Sequence, residues 1–210
     1  AHVREIKAAG FNVVSPRLGG TDPARVRKVA AMAQSEGIFY VAWMRGSLDT
    51  RTGLKHVYPD GHDCDVFSPN SDELWSWMES TILEHARISL EIPAMAGSFL
   101  DFENYARGGS GNHYGLSYDD RIMAAFAASA GVALPPALAP GERAGWLAAQ
   151  GLEGRFRDFQ VAQWRERARR LRQAVDAINP SFLLLVYPAP GTLLITAALY
   201  PEWGTAAAPL

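Results

Sequence analysis

Apolar and polar positions along this chain keep two periods in turn, and each change of period marks an element. The opening 1-AHVREIKAAG-10 has Val3 and Ile6 three apart and closes on Gly10, so it reads as the end of a helix. The β-branched run 11-FNVVSPR-17 predicts a strand stopped by Pro16 and the turn residues Gly19-Gly20. Asp22 then supplies an N-cap and Pro23 a first helical residue. Val26, Val29, Ala30 and Ala33 follow at helical spacing until Gly37 ends the stripe. The near-continuous apolar run 38-IFYVAWM-44 predicts a strand buried on both faces, as parallel strands are.

The same order recurs. After a polar loop over 46–69, Asn70 and Glu73 fit a capping box, and Leu74, Trp77, Met78 and Ile82 draw a helix that ends before Pro93. The stretch 97-GSFLDFE-103 predicts the next strand, followed by a glycine-rich loop to Ser117. Helical segments are expected near Tyr118, near Pro140-Gly141 and near Asp158. The last is the longest, with Val161, Trp164, Ala168, Leu171, Val175 and Ile178 at spacings of three and four. Asn179-Pro180 closes it, and 182-FLLLVY-187 reads as a further buried strand, while 191-GTLLITAALYPEWGT-205 fits strand or helix equally.

Strands alternating with helices imply a parallel sheet with right-handed crossovers. An open doubly wound sheet and a TIM-type (β/α) barrel both satisfy that pattern. The long loops follow the C-terminal ends of strands while the returns are brief, which favours the barrel. Four or five units cannot close eight strands. The expectation is therefore a single barrel-like domain over 1–210, present in part, with a helical insert after the Asp-x-Glu strand. Because the first residues read as a helix end, the chain is expected to be cut from a longer one, and a missing leader then has no weight.

Composition narrows the function classes. With 48% hydrophobic and 20% charged residues and a net charge of −2, the chain has the balance of a soluble globular protein. The basic run 165-RERARRLR-172 is short enough to be the wet face of a helix, so no nucleic-acid partner is expected. No apolar run approaches the ~20 residues of a membrane span, so no membrane partner is expected either. Cys64 is the only cysteine, so no internal disulfide can form, and the compartment stays open. The stretch 15-SPRLGGTDP-23 lacks the glycine fingerprint of a dinucleotide site, and no cofactor is expected.

In a parallel α/β protein the strand C-terminal ends converge on the site. Here those positions carry Arg17, Trp43, Arg45, Asp101, Glu103, Tyr105 and Tyr187. Arginines, aromatic rings and paired acids suit a carbohydrate: ring faces stack on aromatics, and hydroxyls bridge to guanidinium and carboxylate groups. Residues i and i+2 of a strand share a face about 7 Å apart, so Asp101 and Glu103 should point together, opposite Leu100 and Phe102. Two like charges in a partly dry pocket cannot both ionise cheaply, and a pair of that kind cleaves glycosidic bonds.

The stretch 97-GSFLDFE-103 resembles the strand motif of family 18 glycoside hydrolases, chitinases and their relatives, in which a strand ends Asp-x-Glu. The resemblance implies that Glu103 is the general acid and that Asp101 orients the substrate. More widely, the chain is similar to bacterial glycoside-hydrolase-like barrel proteins, with a strand ending in acids followed by a long helical insert. The function expected is a glycosidase, with a catalytically inactive carbohydrate-binding or structural protein as the rival. Glu202 is the one late candidate for a second carboxylate. A third reading is a metal-dependent hydrolase built on 56-HVYPDGHDCD-65, although the spacing there matches no zinc or calcium loop. His113 lies in a glycine-rich stretch suited to a lid, no GxSxG elbow is present, and the oligomeric state is left open.

Overall fold

The computed structural model describes residues 2–102, 115–186 and 194–203. A first helix α1 (His2–Ala8) leads to the short strand β1 (Val13–Val14), then α2 (Pro23–Glu36) and β2 (Phe39–Arg45). A hairpin of β3 (Lys55–Val57) and β4 (Asp63–Phe67) precedes α3 (Asp72–Glu91) and β5 (Met95–Asp101). The insert α4 (Asp120–Ala130), α5 (Arg143–Ala149) and α6 (Glu153–Asp176) leads to β6 (Leu183–Val186) and α7 (Leu194–Leu199).

Local chemistry sets the ends. Asp22 accepts hydrogen bonds from the Ala24 and Arg25 amides, Pro23 opens α2, and Gly37 closes it at φ 66°, where a side chain would be strained. At α3 the cap falls one residue later than the sequence suggests. Ser71 accepts from the Leu74 amide and donates to Glu73 at 2.8 Å, leaving Asn70 free to be buried elsewhere. The polar loop expected over 46–69 contains the antiparallel β3–β4 hairpin, turned at 58-YPDGH-62 with Gly61 at φ 85°. Of the tail that fitted strand or helix, Leu194–Leu199 form the helix α7.

Four strands pair in parallel in the order β1-β2-β5-β6, each beside its predecessor in that set. A doubly wound sheet requires a reversal of strand order, and none occurs here. Successive right-handed crossovers in one direction put the helices on one side. The core shows it: Val14, Tyr40, Ala42, Met44, Leu100, Phe102 and Leu184 pack in one cluster with residues of α1, α2, α3, α6 and α7. No closed barrel forms among the described residues.

Among the described residues, no helix layer of this kind packs on the other sheet face. Register sets Val13 beside Phe39, and the row Trp43, Phe99 and Leu185 runs across three strands. Phe39 is 51% exposed, Val13 43% and Leu185 38%, against 0% for Leu100 on the helix side. The apolar run 38–44 is therefore dry on its helix side, while on the other Phe39 is half in water, Trp43 half-buried and Val41 buried.

A second, smaller cluster gathers Ile122, Met123, Phe126, Leu147, Leu152 and Phe156 from the insert. A buried polar knot ties this insert to the sheet layer. Asp119 accepts from Ser68 at 2.6 Å and from the Asn70 amide at 3.1 Å. Asn70 in turn donates to Gln160 and accepts from the Trp164 indole at 2.9 Å. Asp119, Ser68, Asn70 and the Trp164 indole thereby find partners, while the Gln160 side-chain nitrogen is buried without one.

Candidate active site

The strand C-terminal ends form a rim at which four of the seven expected site residues are described. Asp101 is the last residue of β5 and pairs in register with Arg45, the last residue of β2. The Gly46 amide donates to the Asp101 carbonyl at 2.7 Å, carrying the ladder one step further. On β2, positions 41, 43 and 45 share the open face, as do 97, 99 and 101 on β5. Asp101 thus stands half-buried on the face that Arg45 and Trp43 share, while Leu100 and Phe102 are fully buried among the helices. Glu103, Tyr105 and Tyr187 lie outside the described residues, as does His113.

Arg17 follows β1 in the loop to α2 and lays its guanidinium over the Trp43 ring, 5.6 Å from the centroid. One face of that half-buried indole is therefore occupied by a cation rather than open to a sugar. Gly20 fixes the same loop: a Cβ there would run into the Trp43 carbonyl, so only glycine lets the loop lie against β2. Neither the stacking nor the close approach leaves a spacing signal in the sequence.

Glu202 does not reach this rim. It sits after α7 and accepts from Arg165 at 3.0 Å and Arg169 at 3.1 Å, both on α6. Burial works to raise its carboxyl, but hydrogen bonds and charge from the two arginines outweigh that and hold it below the usual range. Glu202 is a tie between outer helices, and β6 carries no acid of its own. The run 165–172 is likewise a set of ties: Arg167 holds Asp72 at 2.6 Å and Arg172 holds Asp176 at 2.7 Å.

The residues of 56–65 are spread over a hairpin. Lys55 lies 2.8 Å from Asp65 and 3.6 Å from Asp63, drawing both acids to one cation. His56 is buried, edge-on to the Tyr58 ring at 4.6 Å. Burial pushes the Cys64 thiol up, so it is protonated at neutral pH. Among the described residues no group of His, Cys, Asp and Glu is arranged to hold a metal ion.

No family model and no curated protein matches the chain. Nine chains of solved structures match in fold. An exo-β-agarase aligns with TM-score 0.48 and 17% identity over 95% of this chain and 30% of its own length. A protein named PfGH50B aligns with TM-score 0.49 and 13% identity over 87% of this chain and 29% of its own. The chain spans about a third or less of these structures. No helix among the described residues is long and apolar enough to cross a membrane.

Proposed function

We propose that the chain is the acid-bearing part of a glycoside hydrolase, with its sheet forming one stretch of a (β/α) barrel. The observation that carries this reading is the position of Asp101. It ends a central parallel strand, faces the open side of the sheet, and has Arg45 and Trp43 beside it on the next strand. Acid, cation and ring thus meet at the edge where parallel α/β proteins hold their ligands. The unreversed strand order and the apolar face, without a helix layer among the described residues, are what a barrel segment would show before its remaining strands are added.

In this mechanism Glu103 protonates the glycosidic oxygen as the bond to the sugar breaks, and Asp101 stabilises the positive charge that develops on the ring. A water then adds to the anomeric carbon and returns a proton to Glu103. Arg17, Arg45, Tyr105 and Tyr187 hold the sugar, and Trp43 backs the Arg17 guanidinium. Glu103→Gln should lower turnover by about 100- to 10,000-fold on a substrate found by glycan screening, with binding nearly unchanged. An undiminished rate would remove Glu103 from the mechanism.

A second reading is a carbohydrate-binding protein without turnover, favoured by the engagement of Glu202 with Arg165 and Arg169. Binding of a glycan by the unaltered chain, with no hydrolysis on prolonged incubation, would select it.

A further inference from the structure

Most cations of this chain's outer layer are matched to acids. Arg165 and Arg169 share Glu202, Arg167 holds Asp72, and Arg172 holds Asp176. Arg17 and Arg45 are exposed and, like Lys7, Arg25, Lys28, Arg51 and Arg155, form no ion pair with another described residue; what sets them apart is their place at the strand ends. Both belong to the strand-end rim, on its β1–β2 side. Arg17 is held over Trp43 at 5.6 Å, and Arg45 stands two residues further along the same face of β2. That step is about 7 Å along a strand.

Two exposed cations at the β1–β2 side of one rim, one of them stacked on the indole between their strands' ends, suit an anion. Each offers a planar fork of N–H donors that matches a carboxylate or a sulfate at two points. Stacking on Trp43 limits the motion of Arg17, so less freedom is lost when its edge takes up a ligand. The Gly20 contact fixes the loop that carries it. We propose that this rim takes a carbohydrate carrying an anionic group, a uronate carboxylate or a sulfate ester, with that group held between Arg17 and Arg45. The inference rests on the reading of the rim as a carbohydrate site, and it places the sugar's charge on the β1–β2 side, where Arg45 stands next to Asp101 of β5.

The test is titration calorimetry of the full chain with three oligosaccharides of equal length: an oligogalacturonate, a sulfated galactan and a neutral galactan. At least one anionic arm should bind about tenfold more tightly than the neutral one, and the stronger arm identifies the group. Arg17→Gln and Arg45→Gln should each weaken that arm about tenfold more than they weaken the neutral arm, while Arg17→Lys should keep part of the preference. Raising salt from about 50 to about 500 mM should weaken the anionic arms alone. Equal binding of all three, no binding of either anionic arm, or an intact preference in either Gln variant would overturn the proposal. Arginine-dependent binding without hydrolysis would support it while ending the acid-catalysis reading. Hydrolysis of the neutral oligomer with no anionic preference would do the reverse.

Discussion

Ser98 on β5 places its hydroxyl 2.8 Å from Nδ1 of His85 on α3, and neither residue is accessible to solvent. Burial pushes the imidazole from 6.5 down to about 4, against smaller opposing pulls from the Gly20 backbone and the Glu84 charge. The unfolded chain therefore takes up this proton first as pH falls. Stability is whole above the ordinary value of 6.5 and declines as pH drops toward about 4. The full loss from this one group is about 3 kcal/mol. Urea midpoints at pH 7 and pH 4 should differ less in His85→Gln than in the unaltered chain, and an equal acid loss in both would place the effect elsewhere. At this scale the sequence is uneven. Asp22, Pro23 and Gly37 announce their roles because caps act on their own neighbours. The partners of His85, Asp119 and Glu202 come from other elements, and no local pattern names them.

Strands β2 and β5 show what an element decides. Leu100 and Phe39 are both apolar and both in the central strands, yet one is 0% and the other 51% exposed. Leu100→Ala should cost about 2–5 kcal/mol in urea unfolding, because it leaves a cavity under the helices. Phe39→Ala should cost less than about 1 kcal/mol, since the ring already stands half in water. Similar costs for the two would mean that the open face is as tightly packed as the other. The run 38–44 announced a strand apolar on both sides, and that part was legible. What lies against each side depends on neighbours far along the chain. The β3–β4 hairpin had its signal in the Pro-Asp-Gly turn at 59–61, a local feature outweighed by the polarity around it.

Over the whole molecule, α6 is the connecting member. Its 24 residues extend about 36 Å, long enough to serve both clusters. Phe156 packs with the insert, while Trp164, Ala168, Leu171 and Val175 pack against the sheet layer. Phe156→Ala should cost about 3–5 kcal/mol within the insert. Hydrogen exchange of α4 and α5 amides should then quicken while β2 and β5 keep their protection. Loss of protection in both regions together would show that the two clusters unfold as one unit.

The sequence by itself determined the alternation of strands and helices, the caps of α2, and the acid that closes β5. These follow from periodicity and from residues acting on chain neighbours a few positions away. Only the tertiary structure decided the unreversed strand order, the helix-covered face and the tie that takes Glu202 out of the rim. It also decided the setting of Arg17 over Trp43. Each of these joins residues far apart in sequence, and their meeting is fixed by how layers pack and by which charges burial brings together.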